Sequence, residues 1–415
     1  MEHPLQVYYC GEEATTRLIR YCHSRQLDRF LLVCDQNTYR ALGHSLERSL
    51  TGRGWDIQTV VLRGTEVLAD EKRVFEVLKQ AHGQKRTYLA VGSGTVTDIT
   101  RYASYCARNA FISLPTAPSV DAYASMGAAL IVDGYKTTLP SHGPVAIFAH
   151  QPTLCEAPHR LIAAGFGDMV GKYVALADWQ LAALLVDEPY IEDIARRARQ
   201  ALLDCVAHVD EIGAASATGV EALMAALIES GLCMAACGNS RPASGSEHLF
   251  SHFWEMRWLQ GACPPALHGA KVGIGAVLAA RRYAVIRSLT QEEIAVRLDE
   301  SPPPDRQGQI RHIRATYGLA ADQIITGYQP FLDMLEREFE PLRRRIRTHW
   351  PAIHEIAASV PPAREIADLL GRAGGPGGPE ELGLAAEDVK QALASSRYLR
   401  NRFTVNTVGR IVGVW

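Results

Sequence analysis

The chain has 415 residues, 47% of them hydrophobic, with 43 Lys and Arg against 45 Asp and Glu and a formal charge of -2. At roughly 150 residues per domain this length predicts two or three domains with real cores, and it excludes a disordered or fibrous chain. The near-neutral balance supplies no global field for a polyanion or an acidic membrane, so no nucleic-acid partner is expected.

Met1-Glu2-His3-Pro4 lacks a basic region followed by an apolar run, and no apolar stretch of about 18 residues stays free of charge. No membrane insertion is expected, and the chain reads as cytoplasmic. Nine cysteines, none in a Cys-x-x-Cys pair, imply no disulfide framework or cysteine zinc site; Cys34 and Cys205 read as small buried hydrophobes.

Through the first 150 residues, short β-branched or aromatic runs alternate with amphipathic stretches. Phe30 to Cys34, Ile57 to Leu62, Thr87 to Val91 and Phe111 to Leu114 predict strands; Thr38 to Leu50, Glu66 to Ala81 and Thr95 to Arg108 predict helices. Parallel strands need long crossovers, so this alternation implies an α/β, doubly wound, Rossmann-like domain over 1–152. Ala129 to Val132 and Tyr135 to Leu139, joined by Asp133-Gly134, predict a hairpin. From about Thr153 the chain turns to Ala/Leu-rich segments of three-to-four spacing, such as Gly171 to Val186, Ile191 to Ile212, Val220 to Cys237 and Gly273 to Leu289, so 153–415 reads as an all-α domain. Pro302-Pro303-Pro304 and Gly374 to Pro379 read as loops, the second followed by a helix start at Glu380. The basic run Arg343 to Arg347 follows Glu336, Glu338 and Glu340 on one helix and reads as a salt-bridged face.

Five segments carry chemistry. Tyr88 to Val91 enters a small-residue turn, Gly92-Ser93-Gly94-Thr95, whose amides at a helix start suit a pyrophosphate, although the full Gly-x-Gly-x-x-Gly is absent and a plain tight turn stays open. Asp35 ends an apolar strand, where a carboxylate accepts from an adenosine ribose and repels a 2′-phosphate, or else caps the next helix. Leu114 to Asp121 lies past another strand and offers hydroxyls to a cofactor, or is an ordinary loop. Gly165-Phe166-Gly167-Asp168 puts a carboxylate where a helix is expected to begin, with an N-cap as the competing role. His248 and His252 stand four apart on one helical face, with His268 twenty residues after His248; chance surface histidines compete with a metal site. No His-Glu-x-x-His is present, which disfavours a zincin protease.

Taken together, Gly92 to Asp98, Pro115 to Asp121, Gly167 to Lys172, Ser244 to His252 and His268 to Gly273 resemble the iron-dependent alcohol dehydrogenase and dehydroquinate synthase-like superfamily, most closely its glycerol-phosphate branch. The resemblance implies that Asp168, His248 and His268 bind one divalent metal, nickel, zinc or iron. It implies that Gly94, Thr95, Val96, Thr97, Asp98, Thr116, Ala117, Pro118, Ser119 and Ser125 touch NAD, with NADP the alternative, and that Asp35 holds the adenine ribose. Asp121 and His252 would be catalytic, and both, with Asp168, would face a small phosphorylated substrate. Ser93 stands where many relatives have a third glycine.

The activity implied is interconversion of dihydroxyacetone phosphate and sn-glycerol 1-phosphate by hydride transfer, a step of phospholipid biosynthesis, in a homodimer. A bound metal acting as Lewis acid stabilises the charge that hydride transfer puts on the carbonyl oxygen. Lys172, Arg241 and Lys271 are candidates for the substrate phosphate. Alternatives are a glycerol or polyol dehydrogenase, a dehydroquinate synthase-like cyclase, and a catalytically silent protein with the same fold. Ser301 to Trp415 carries no motif and reads as helical packing alone.

Overall fold

A computed structural model describes residues 4–64 and 66–415. Met1, Glu2 and His3, on which the reading of the N-terminus rests, lie outside the described residues. The chain forms two compact units: one takes residues 1–169, 203–239 and 372–374, the other 170–202, 240–371 and 375–415.

The first unit is built on a six-stranded parallel sheet. Its strands are β1 (Val7–Gly11), β2 (Arg29–Asp35), β3 (Asp56–Leu62), β4 (Thr87–Val91), β5 (Phe111–Leu114) and, after a separate hairpin of β6 (Gly127–Val132) and β7 (Tyr135–Pro140), β8 (Ala146–His150). The spatial order is β1-β8-β5-β4-β2-β3. All four expected strands are present, β4 and β5 with the expected bounds. Both are buried at every position, as strands covered on two faces must be. Alternation along β2 divides the core in two: Phe30, Leu32 and Cys34 join one cluster with Leu18 and Ile112, while Leu31 and Val33 join the other with Val77 and Phe111.

Three features depart from the sequence reading. β1, β8 and the helix Ala14–Ser24 had no counterpart in it. The helix expected from Glu66 begins at Glu71, because the Asp70 carboxylate accepts from the Arg73 amide at 2.8 Å and caps it there. The helix expected over Thr38 to Leu50 spans Gln36 to Thr51 with a π-turn at Tyr39–Gly43. The hairpin follows the expected pairing, and Asp133 and Gly134 have φ of 51° and 75°, the two positive values of a type I′ turn.

β2 leads outward to β3, whereas β4 and β5 lie on the opposite side of β2, so the winding reverses between β2 and β4. In such sheets ligands bind beyond the carboxyl ends of the strands at the reversal. Asp35, Gly92 to Asp98 and Pro115 to Asp121 leave that edge from β2, β4 and β5.

The helix Ala217–Cys237 belongs to the same unit: Ser230 donates to Asp121, and a Cβ on Gly231 would sit 2.9 Å from the Asp121 carbonyl oxygen. Among the described residues two helical runs, His159–Val186 and Ala217–Cys237, are long and apolar enough to cross a membrane, with mean hydropathy of 1.3 and 1.6, but 72% and 50% of those windows are buried inside the protein.

The second unit is helical. Lys172–Val186, Ser246–Leu259, His268–Ser288 and Ala321–Thr348 are its main members. The basic run lies on the last and is ion-paired: Arg343 with Glu340 at 2.7 Å, Arg345 with Asp187 at 2.8 Å and Arg347 with Asp299 at 2.5 Å. The start expected at Glu380 is a single 3-10 turn, Pro379–Leu382, and the α-helix follows at Ala386–Ser395. All nine cysteines are free thiols, with Cys34 and Cys205 buried.

Candidate active site

In the first unit the turn after β4 makes Gly94 the first residue of a helix, Gly94–Cys106, with Ser93 before it. Thr95, Val96 and Thr97 form the first turn, where amide hydrogens have no earlier carbonyl to meet and favour an anion. Thr97 and Asp98 are buried. Burial raises the Asp98 carboxyl to about 6 despite the Arg101 guanidinium 2.6 Å away.

Arg101 was missed by the sequence reading, yet it organises the neighbouring loop. Besides Asp98 it donates to the carbonyls of Ala122 at 2.5 Å, Tyr123 at 3.0 Å and Gly127 at 2.9 Å. The Tyr123 hydroxyl donates to the Ala117 carbonyl at 2.5 Å, and Ser119 lies 3.4 Å from the same hydroxyl. Thr116, Ala117, Pro118 and Ser119 are thus fixed in a buried loop, and Ser125 donates to Gly127 at 3.0 Å.

Asp35 caps the helix that follows β2: one carboxylate oxygen accepts from the Asn37 and Thr38 amides, both at 2.8 Å. Its competing role as a cap is therefore realised.

Asp168 does not stand at a helix start. It lies inside His159–Val170, near its end, and is fully buried. Gly165 and Gly167 do not break this helix. Gly165 allows a close approach instead, since a Cβ there would meet the Pro118 carbonyl oxygen at 1.8 Å. The helix is thereby pressed onto the Pro115–Asp121 loop, and the Asp168 carboxylate accepts the Asp121 amide at 3.0 Å. The Asp121 side chain accepts from Ser230 at 2.8 Å. Asp121 and Asp168 are brought together.

In the second unit, His248 and His252 lie on Ser246–Leu259, and His268 is the first residue of His268–Ser288, five residues before the expected start. A Cβ on Gly275 would stand 2.3 Å from the Glu247 carbonyl oxygen, so only glycine lets these helices approach so closely. Their three imidazoles gather: ring centroids are 5.3 Å apart for His248 and His268, 5.7 Å for His252 and His268, and 5.9 Å for His248 and His252.

Carboxylates back all three rings. The Nδ1 of His248 meets Glu247 at 2.7 Å, that of His268 meets Glu255 at 2.8 Å, and that of His252 meets the other Glu255 oxygen at 3.0 Å. A proton held on Nδ1 by a carboxylate puts the lone pair on Nε2, the tautomer that serves as a metal ligand. Burial keeps His252 neutral, its pKa pushed down to about 3 against the pull of Glu255. Neither Glu247 nor Glu255 was singled out from the sequence, though each lies within a turn of a histidine that was.

Of the phosphate candidates, Lys271 is 3.5 Å from Glu255 and Arg241 is ion-paired with Glu188, while Lys172 is wholly buried. The C-terminal segment does more than fill space. Val405 donates its amide to Asp178 at 2.7 Å, and Asp178 also holds the Ser246 amide at 2.7 Å and the Tyr283 hydroxyl at 2.7 Å. Arg402 donates to the Ser244 carbonyl. The Ser244 to His252 segment is thus anchored by residues beyond 400.

Solved structures share this fold: glycerol dehydrogenase from Schizosaccharomyces pombe (TM-score 0.61, 16% identity, 99% of this chain and 88% of that one) and sulfoacetaldehyde reductase from Bifidobacterium kashiwanohense in complex with NAD+ (0.62, 15%, 100% and 96%). The family model described as iron-containing alcohol dehydrogenase matches residues 9–158. Among relatives, glycerol-1-phosphate dehydrogenase [NAD(P)+] from Geobacillus stearothermophilus is 35% identical over 97% of this chain and 91% of its own length. The enzyme of the same name from Bacillus subtilis is 36% identical over 95% and 88%. The chain belongs to the glycerol-1-phosphate dehydrogenase family, among the iron-containing alcohol dehydrogenases.

Proposed function

We propose that the protein is a metal-dependent, NAD(P)-linked oxidoreductase that interconverts dihydroxyacetone phosphate and sn-glycerol 1-phosphate. The observation that carries this reading is the near-full-length likeness to enzymes of that name at 34–36% identity. The donor set supports it: Asp168 is a buried carboxylate, and His248 and His268 are adjacent imidazoles with carboxylates on Nδ1. These residues fit one divalent ion, and imidazole with carboxylate suits nickel, zinc or iron alike. When bound, that ion would supply Lewis-acid stabilisation of charge on the substrate oxygen, on the order of several kcal/mol, and the dinucleotide would supply the hydride.

The remaining work belongs to the chain. The first turn of Gly94–Cys106 receives the pyrophosphate, with Gly94, Thr95, Val96, Thr97 and Asp98 around it, and Thr116 to Ser119 and Ser125 form the adjoining wall. Asp35 sits where the adenosine ribose ends, which favours NAD over NADP. Glu255 holds the His252 ring with Nε2 as the nitrogen that accepts or returns a proton, and Asp121, steadied by Ser230, orients a substrate hydroxyl. In this reading the enzyme acts in the cytoplasm as a homodimer, in phospholipid biosynthesis.

NADH oxidation with dihydroxyacetone phosphate, by metal-depleted protein resupplied with nickel, zinc or iron, tests the proposal. Activity with dihydroxyacetone phosphate at least tenfold above that with dihydroxyacetone, lost in His268→Ala together with bound metal, is expected. Equal activity on the unphosphorylated ketone would move the assignment to a polyol dehydrogenase, and full metal content in His268→Ala would remove that ligand.

A further inference from the structure

The helical unit contains a cavity of about 570 Å³ built wholly from its C-terminal half, with Pro303, Tyr328, Phe339, Arg397, Thr407 and Arg410 in its walls. None of these residues takes part in the site described above. The volume falls within the range of small-molecule sites, about 300–1,000 Å³, and is far more than an isolated ion needs.

Its polar end is made of donors. Arg397 is buried, its guanidinium 4.2 Å over the Tyr398 ring, donating to the Ala394 carbonyl at 3.2 Å and to the Tyr398 hydroxyl. Arg410 borders the same space, and its charged neighbour is Arg397, not a carboxylate. Beyond the wall, Arg282 is pushed down to about 10 by burial and by repulsion from Arg397 and Arg410. Arg397 and Arg282 are buried while Arg410 reaches the surface, and like charge gathered around two buried guanidiniums is costly unless an anion relieves it.

The Thr407 hydroxyl, on a residue only 4% exposed, has no hydrogen-bond partner among the described residues. An orphaned buried hydroxyl beside two guanidiniums is one more unsatisfied donor. The one lining carboxylate is Asp305; its oxygens are occupied by the Gly308 amide at 2.8 Å and Arg311 at 3.4 Å. His312, also lining, is bonded to Ser395 at 2.9 Å. The other walls are mostly proline, aromatic and aliphatic side chains, with Ser301 and Gln309 among them and Tyr328 and Tyr398 packed edge to face at 5.1 Å.

Several donors at one end ask for an anion rich in acceptor oxygens, and guanidinium pairs with phosphate in a directional fork. Apolar walls ask for an organic body. We propose that this cavity is a second ligand site that takes an organic phosphate ester, its phosphate against Arg397, Arg410 and Thr407 and its apolar or aromatic body against Tyr328, Phe339 and Pro303. The inference stands apart from the dehydrogenase assignment, since no residue is shared.

Calorimetric titration of the full-length protein with phenyl phosphate, in a buffer free of phosphate, tests it. Saturable binding is expected, weakened about tenfold or more in both Arg410→Gln and Thr407→Val, as follows from loss of a charge-assisted or buried hydrogen bond. Inorganic phosphate and benzoate, lacking the body or the phosphate, are expected to bind at least tenfold more weakly. His268→Ala is expected to leave phenyl phosphate binding unchanged, and the two cavity variants to keep the kcat and KM of the parent. Unaltered affinity in both cavity variants, loss of binding in His268→Ala, equal affinity for inorganic phosphate, or no saturation at millimolar phenyl phosphate would each overturn the proposal.

Discussion

Glu255 is the residue whose replacement reads most directly on the histidine cluster. One of its oxygens meets His268 Nδ1 at 2.8 Å and lies 3.5 Å from Lys271, and the other meets His252 Nδ1 at 3.0 Å, all at a residue 4% exposed. A carboxylate accepts at both oxygens, whereas the glutamine of Glu255→Gln accepts at one and donates at the other. One imidazole must then turn an acceptor nitrogen towards the new amide, which moves its hydrogen to Nε2.

If that ring is His268, the nitrogen proposed to bind metal becomes a donor; if it is His252, the proton relay reverses its sense. Losses of outer-shell partners run to about 10–100-fold in metal affinity, or roughly 1.4–2.7 kcal/mol. Glu255→Gln is therefore expected to weaken metal binding by that factor with little change in Tm of the metal-free protein. Glu255→Asp, which keeps two acceptors on a shorter arm, should lie between. Affinity measured by chelator competition, with fluorescence-monitored melting as the control for folding, decides the matter. A Glu255→Gln protein that binds zinc or nickel as tightly as the parent would refute the tautomer argument.

Asp35→Ser keeps a capping oxygen for the Asn37 and Thr38 amides while removing the charge, so the melting temperature should hold. The ratio of kcat/KM for NADH over NADPH should fall about tenfold, the scale of one like-charge contact at a partly desolvated edge, and an unchanged ratio would take Asp35 out of cofactor selection. Arg101→Met strands the buried Asp98 carboxylate and the Ala122, Tyr123 and Gly127 carbonyls. Breaking such a pair costs about 3–5 kcal/mol, to be read as a lowered urea midpoint, with partial recovery in the Arg101→Met, Asp98→Leu double variant. A midpoint equal to the parent's would show that the guanidinium contributes nothing net.

The parallel sheet was legible because its central strands are covered on both faces: Phe30 to Cys34, Thr87 to Val91 and Phe111 to Leu114 are short runs rich in apolar, β-branched and aromatic residues between turn residues. Val7–Gly11 escaped notice because its two tyrosines and its glycine make no apolar run, and Ala146–His150 because five residues with two alanines carry little β-propensity. Asp168 was singled out as a carboxylate of interest but given the wrong place on its helix. Paired glycines look like a break in a sequence, and only the Pro118 carbonyl pressed against Gly165 shows that they serve contact. Histidine spacing marked His248 and His252, yet the carboxylates that orient them were silent, since a glutamate on a helix is ordinarily solvated. Arg101 was silent for the same reason; nothing in its neighbours announces a cation that ties down a loop 21 to 26 residues away.

The first unit closes late in the chain's own order. Asp121 awaits Ser230 on Ala217–Cys237, and the contour is finished only by residues 372–374, where Arg372 reaches Asp210 at 2.7 Å. A ribosome therefore delivers the sheet well before the helix that completes it, and in that interval the nascent strands present an uncovered apolar flank. Truncating the gene after the sheet would make this interval permanent, yielding a fragment prone to self-association rather than an autonomous nucleotide-binding module.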